Sequence, residues 1–207
     1  PFDVQAVKGV VPAVSGLKPA SNFQAEIEKK LFLHNLGHAV LAYVGYLKGH
    51  AYIHEAVRDR EIGEILDDVW QEVSLSLFKK YPDLDRAEIE EMMNDLKERF
   101  ANPALMDTVE RVGRDPLRKL QPEDRLVGGI RLCLAQGVFP RFIAMACGAA
   151  LRYDFPGDPE AVALQEMIGK KGVAGVLREV CAIEPESEVG KEILSAYRFW
   201  SPKKDQA

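Results

Sequence analysis

Several absences narrow what this chain of 207 residues can be. It has no apolar run near the roughly 20 residues that a membrane-crossing helix needs, and no signal peptide. Its three cysteines, Cys133, Cys147 and Cys181, are odd in number and lack C-x-x-C spacing. That argues against a disulfide framework and predicts buried, reduced thiols in a cytoplasmic protein. A surplus of positive charge is missing too: 27 Lys and Arg face 32 Asp and Glu, for a net charge of -5. Without an aromatic-basic stripe, that balance argues against nucleic-acid binding. No G-x-G-x-x-G fingerprint occurs, so the chain cannot cradle a dinucleotide in the usual strand-loop-helix manner. The nearest glycine cluster, Gly169 to Gly175, follows a helix-like segment, has the wrong spacing and reads as a helix-helix turn. The first residue is Pro rather than Met, which predicts a fragment or a processed product.

What is present is helical periodicity. With 47% hydrophobic residues the chain can bury a sizeable core, and one compact all-α domain over residues 21–207 is expected. Ser21 and Gln24 have capping-box spacing, and Ile27, Leu31, Leu33, Val40, Leu41, Val44 and Leu47 predict a helix from about Asn22 to about Lys48. Ile62, Ile65, Leu66, Val69, Val73, Leu77 and Phe78 predict another over Glu61 to Lys80, stopped by Tyr81-Pro82. Further helices are expected from Asp85 to Asn102, from Pro122 to Gly137, from Pro140 to Ala150, from Asp158-Pro159 onward, and from Ser187 to Trp200. Residues 1–20 differ. Val4, Val7, Val10, Val11 and Val14 interspersed with Gly and Pro suggest an extended linker that packs on a separate N-terminal domain.

Within the first helix, Lys30, Asn35 and His38 form a Lys-x4-Asn-x2-His constellation. At roughly 100° per residue, Asn35 lies about 140° and His38 about 80° around the axis from Lys30, on one broad face. Gly37 within this stretch costs roughly 1 kcal/mol against Ala, which a close approach by substrate or by a neighbouring backbone would explain. Two duller readings share these residues. His34 and His38, four apart, could bridge a divalent metal, although no acidic residue intervenes and no third ligand is evident. Alternatively, Lys30 snorkels off a core helix whose Asn and His are satisfied internally.

A second cluster gathers Arg111, Arg114, Arg118 and Lys119 in one short segment broken by Gly113 and Pro116. Four cations on a bent element in an acidic chain suggest an anion site, with a phosphate ester the natural occupant. Surface salt bridges to Glu110, Asp115, Glu123 and Asp124 explain the same residues equally well when the segment is taken alone.

Together these stretches carry a resemblance. The run Lys30-Leu31-Phe32, Asn35, Gly37-His38-Ala39, then Ala42-Tyr43, Gly45, Lys48-Gly49-His50 and Val109 to Leu120 is similar to the polyol-specific long-chain dehydrogenases, in particular their mannitol-1-phosphate 5-dehydrogenase group. The resemblance runs from about Pro1 to about Tyr197 and matches only the C-terminal half of such enzymes. It implies an all-α catalytic and substrate domain like the C-terminal domains of mannitol and 6-phosphogluconate dehydrogenases. It also implies interconversion of mannitol 1-phosphate and fructose 6-phosphate, with NAD bound mainly by an N-terminal Rossmann domain in cis. By the same resemblance, Lys30 is the general base and Asn35 the amide facing the developing alkoxide. His38, Arg111 and Lys119 contact substrate, Arg114 and Arg118 belong to the phosphate neighbourhood, and no metal is called for. A lysine base must have its pKa lowered from about 10.4 by burial or nearby positive charge, a task the cationic segment is expected to share. Mannitol 2-dehydrogenase, hexuronate reductase and a non-catalytic sugar-phosphate-binding module are the alternatives.

Overall fold

The computed structural model describes residues 1–3, 6–8, 19–20 and 22–201. Two short strands, β1 (Phe2–Asp3) and β2 (Pro19–Ala20), pair in parallel near the start. The helices are α1 (Phe23–Lys29), α2 (Leu36–Leu47), α3 (Ile53–Ala56), α4 (Arg60–Lys80), α5 (Arg86–Phe100) and α6 (Val109–Gly113). They continue with α7 (Pro116–Lys119), α8 (Arg125–Ala135), α9 (Arg141–Leu151), α10 (Pro159–Glu179) and α11 (Glu188–Phe199). The expected all-α architecture is the one observed. None of these helices is long and apolar enough to cross a membrane. Of the valines in the expected linker, Val7 is exposed, and Val4, Val10, Val11 and Val14 lie outside the described residues.

Capping chemistry sets most helix starts. The side chains of Asn22, Asp59, Asp85, Thr108, Asp158 and Ser187 each accept a backbone N–H from the first turn that follows. The cap of α1 is therefore Asn22, and Ser21 lies outside the described residues. Pro122 does not open α8. Asp124 accepts the Arg125 N–H at 2.6 Å and starts that helix after the proline turn. α9 follows Pro140, which has no capping side chain, and Glu72 of α4 supplies one instead by accepting from Phe142 N at 2.8 Å and Ile143 N at 3.1 Å. The expected turn at Gly169 to Gly175 proves to be a break inside α10, where Gly172 takes φ +68° and no side chain would be strained for space.

The centre of the molecule is α2, buried on nearly every side from Leu36 to Gly45 and packed against α3, α4, α6 and α9. α11 packs on α9 through small residues, and the three cysteines are buried and free. The helix predicted over residues 22–48 is continuous but not uniform, because Lys30–Asn35 winds as a π-helix between α1 and α2. Hydrogen bonds closed five residues on bring Asn35 about one full turn from Lys30, closer to the same side than α-geometry would place it. The indole of Trp70 donates to the Leu33 carbonyl of this wide turn at 2.8 Å. That contact also explains Gly37: an added Cβ would lie 2.9 Å from Trp70 Nε1, so the close neighbour is a side chain of α4 and not substrate or backbone.

The α9–α11 contact gives a direct test of packing. A Cβ on Gly148 would meet the Ala196 Cβ at 2.6 Å and the Tyr197 N at 2.7 Å, so two helices must separate to admit it. Gly148→Ala should cost about 1–3 kcal/mol in urea unfolding, the usual penalty for overpacking, and an unchanged midpoint would contradict this interface.

Candidate active site

Side chains from other elements hold the backbone of the cationic segment. α6 is only five residues long, so its carbonyls have few intrahelical partners. Tyr153 Oη donates to the Glu110 carbonyl at 3.1 Å, and Tyr43 Oη to the Gly113 carbonyl at 2.9 Å. Lys119 Nζ donates to the Val112 carbonyl at 2.7 Å and also to the Arg114 carbonyl. Gly113 is required because a Cβ there would sit 3.0 Å from the Tyr153 ring. The link into α7 turns at Asp115, whose φ of +58° is left-handed and whose N–H donates to buried Asp158 at 3.0 Å.

This bend brings His38, Arg111, Arg114, Arg118 and Lys119 together around one cavity of about 210 Å³, which Asp115 also lines. Arg125, at the first position of α8, shares the wall and was not foreseen. Its signal in the sequence, an arginine after an acidic cap, is indistinguishable from an ordinary helix start. The salt bridges expected on the duller reading exist as well: Arg118 Nη1 reaches Asp124 at 2.7 Å and Nη2 lies 3.6 Å from Asp115. Arg111 pairs with Asp107, whose other oxygen lies 3.5 Å from His38 Nε2, a contact without hydrogen-bond alignment.

The electrostatics follow from this crowding. Burial, with the nearby charges of His34, Arg111, Arg125 and Lys119, pushes His38 down to about 3, so the ring is neutral at physiological pH. Lys119 is 4% exposed, and burial followed by the repulsion of Arg125 and Arg118 lowers its amine to about 7. Two of its three N–H bonds are committed to carbonyls, leaving one for a ligand.

Lys30 is placed differently. It is exposed and lines a separate cavity of about 700 Å³ between α1 and α5, with Lys29, His34, Glu88, Glu91, Asp95 and Arg99 among its neighbours. The cationic segment does not line that cavity, so the two motifs are not one pocket within this chain. Asn35 is half-buried at the end of the π-helix and lines neither cavity. The bridge between the cavities is a stack of rings: His34 lies 5.9 Å from His38, and both rest on Phe100, at 5.7 and 4.9 Å. The two imidazoles are thus stacked rather than converging on a metal. Among the described residues no group of three or more His, Cys, Asp or Glu is placed to hold an ion.

Comparison with known proteins agrees with the fold. The Mannitol dehydrogenase C-terminal domain family matches residues 22–199, and the chain belongs to that family. It is 39% identical over 184 residues to a mannitol-1-phosphate 5-dehydrogenase of Caldanaerobacter subterraneus, covering 89% of this chain and 47% of the relative. It is 41% identical over 193 residues to the one of Bacillus subtilis, covering 93% of this chain and 50% of the relative. The chain thus spans about half the length of the curated relatives it matches. Among solved structures, the Pseudomonas fluorescens mannitol 2-dehydrogenase complex with NAD and D-mannitol superposes with a TM-score of 0.68 at 22% identity. That match covers 90% of this chain and 39% of the other. A substrate-free D-sorbitol dehydrogenase gives 0.69 at 18%, covering 87% and 39%. At these identities the two structures establish the shared fold.

The buried amine makes a pH-dependent prediction. Unfolded Lys119 keeps its proton to about pH 10.4, whereas the folded chain releases it near 7. Between those values the unfolded state binds more protons, so this residue makes stability rise with pH. In urea unfolding, wild type should therefore gain stability relative to Lys119→Met from pH 7 to pH 9, by at most about 1.4 kcal/mol per unit. A difference independent of pH would contradict the depressed amine.

Proposed function

We propose that this chain is the substrate-binding and catalytic half of a mannitol-1-phosphate 5-dehydrogenase, interconverting D-mannitol 1-phosphate and D-fructose 6-phosphate with NAD. The observation that carries the reading is the cavity walled by His38, Arg111, Arg114, Arg118, Lys119 and Arg125. Four guanidinium groups and the Lys119 amine, with Asp115 the only acidic side chain among the described residues that line the same cavity of about 210 Å³, suit a phosphate ester better than a neutral polyol. The relatives named for a phosphorylated polyol support the same choice.

The roles follow the motif positions. Lys30 takes the hydroxyl proton on oxidation and returns it on reduction, Asn35 donates to the oxygen that becomes negative, and His38 orients the polyol chain as a neutral hydrogen-bonding group. Arg111 and Lys119 contact the substrate, with Arg114 and Arg118 around its phosphate. The sequence carries no G-x-G-x-x-G fingerprint for a dinucleotide. We assign NAD to a separate Rossmann domain of the same polypeptide, against which residues 1–20 would pack. Its approach to the face bearing Lys30 would supply the burial that this half leaves undone. Three buried free thiols are consistent with a cytoplasmic enzyme.

In the full-length polypeptide, Lys30→Ala should reduce turnover of fructose 6-phosphate by at least about 100-fold, the usual worth of general acid-base catalysis, while NADH affinity by fluorescence titration changes little. Turnover close to wild type would remove the proposed base. Independently, Arg114→Ala/Arg118→Ala should raise KM for fructose 6-phosphate about tenfold or more, the scale of a lost charge-assisted hydrogen bond. A KM that does not move would favour an unphosphorylated substrate.

A further inference from the structure

We propose that Arg125 is the specificity-determining anion ligand of the cationic cavity, gripping the phosphoryl dianion that separates a polyol phosphate from a free polyol. The proposal rests on the polyol-phosphate reading above and adds to it a residue outside both sequence motifs. Among the cavity's guanidinium groups, Arg125 is the least hydrated: its side chain is 18% exposed, against 58% for Arg111 and 47% for Arg118, and Arg114 is also exposed. A charge-assisted contact made there works in a lower effective dielectric than one made by its neighbours.

The group is also held still with its fork uncommitted. Asp124 Oδ1 accepts Arg125 Nε at 2.8 Å and its backbone N–H at 2.6 Å, while Oδ2 accepts Arg118 Nη1 at 2.7 Å. One carboxylate thus fixes two guanidinium groups at the cavity wall. Among the described residues, Asp124 is the only acceptor bonded to the Arg125 guanidinium, and it is reached by Nε alone. Both terminal nitrogens remain for a ligand that can accept two parallel bonds, the geometry a phosphate offers.

Arg125 occupies the first turn of α8, where the macrodipole disfavours a cation. Its charge is also among the causes that depress the titration of both His38 and Lys119. A dianion bound between Arg125 and Lys119 relieves that repulsion. A free polyol leaves it in place and leaves the guanidinium fork without an acceptor, so the same residue favours one substrate and penalises the other.

The test uses the full-length enzyme with Arg125→Gln and Arg125→Lys, reading kcat/KM for fructose 6-phosphate and for fructose, inhibition by inorganic phosphate, and melting temperature. Arg125→Gln should cut the preference for the phosphorylated sugar by about 10- to 100-fold, as expected for losing a charged, bidentate contact. The change should fall on KM, with weakened inhibition by phosphate. Arg125→Lys keeps the charge beside Asp124 but not the fork, so it should fall between the two. If the glutamine variant does not fold, the lysine variant decides the matter through the same ratio. An unchanged preference in a folded variant overturns the role of Arg125 while leaving the polyol-phosphate reading intact. A wild-type enzyme that does not prefer fructose 6-phosphate to fructose overturns both.

Discussion

The arrangement of the candidate site depends on satisfying the backbone of one five-residue helix. α6 is so short that few of its carbonyls have partners within the helix, and side chains from other elements supply the rest. Tyr43, Tyr153 and Lys119 donate to four of the carbonyls from Glu110 to Arg114. Those bonds decide where Arg111 and Arg114 leave the main chain, and Asp158 decides where the chain turns next. The three donors are buried, and removing Tyr43 takes the side-chain donor from the Gly113 carbonyl, a loss of about 1–3 kcal/mol if that group is left unpaired.

Electrostatic crowding is the consequence. Arg111, Arg114, Arg118, Lys119 and Arg125 converge in a chain whose net charge is -5, so the local sign opposes the global one. Asp107 and Asp124 offset part of the repulsion by pairing with Arg111, Arg118 and Arg125. Burial first, and then the charges of Arg125 and Arg118, still lower the Lys119 amine. A cavity left with uncompensated positive charge is a pre-organised receptor for an anion, because the cost of assembling the cations is met on folding and not on binding.

The first motif shows a different division of labour. Its three residues sit on one continuous helix, but the π-helix changes their angular relation, and that wide turn depends on Trp70 reaching the Leu33 carbonyl across 37 positions of sequence. The motif also splits between surfaces: Lys30 opens onto one cavity and His38 onto another, with His34, His38 and Phe100 stacked between them. The exposed position of Lys30 on a domain face suits the proposed role of a base whose site is completed by a second surface.

Much of this was legible in the chain itself. Local rules set the helices: starts at Asp85, Asp158 and Ser187, and apolar residues at helical spacing, each act over a few residues, so neighbouring sequence suffices to read them. The same locality made Lys30, Asn35, His38 and the Arg111 to Lys119 cluster recognisable as motifs. What local sequence could not show was every relation between distant segments. Gly37 serves Trp70 rather than a ligand, α8 starts at Asp124 and not at Pro122, and Arg125 joins a cavity whose other walls come from α2, α6 and α7. Those outcomes turn on which side chain wins a particular carbonyl or carboxylate once the helices pack. That competition is settled by three-dimensional proximity, which spacing along a chain does not encode.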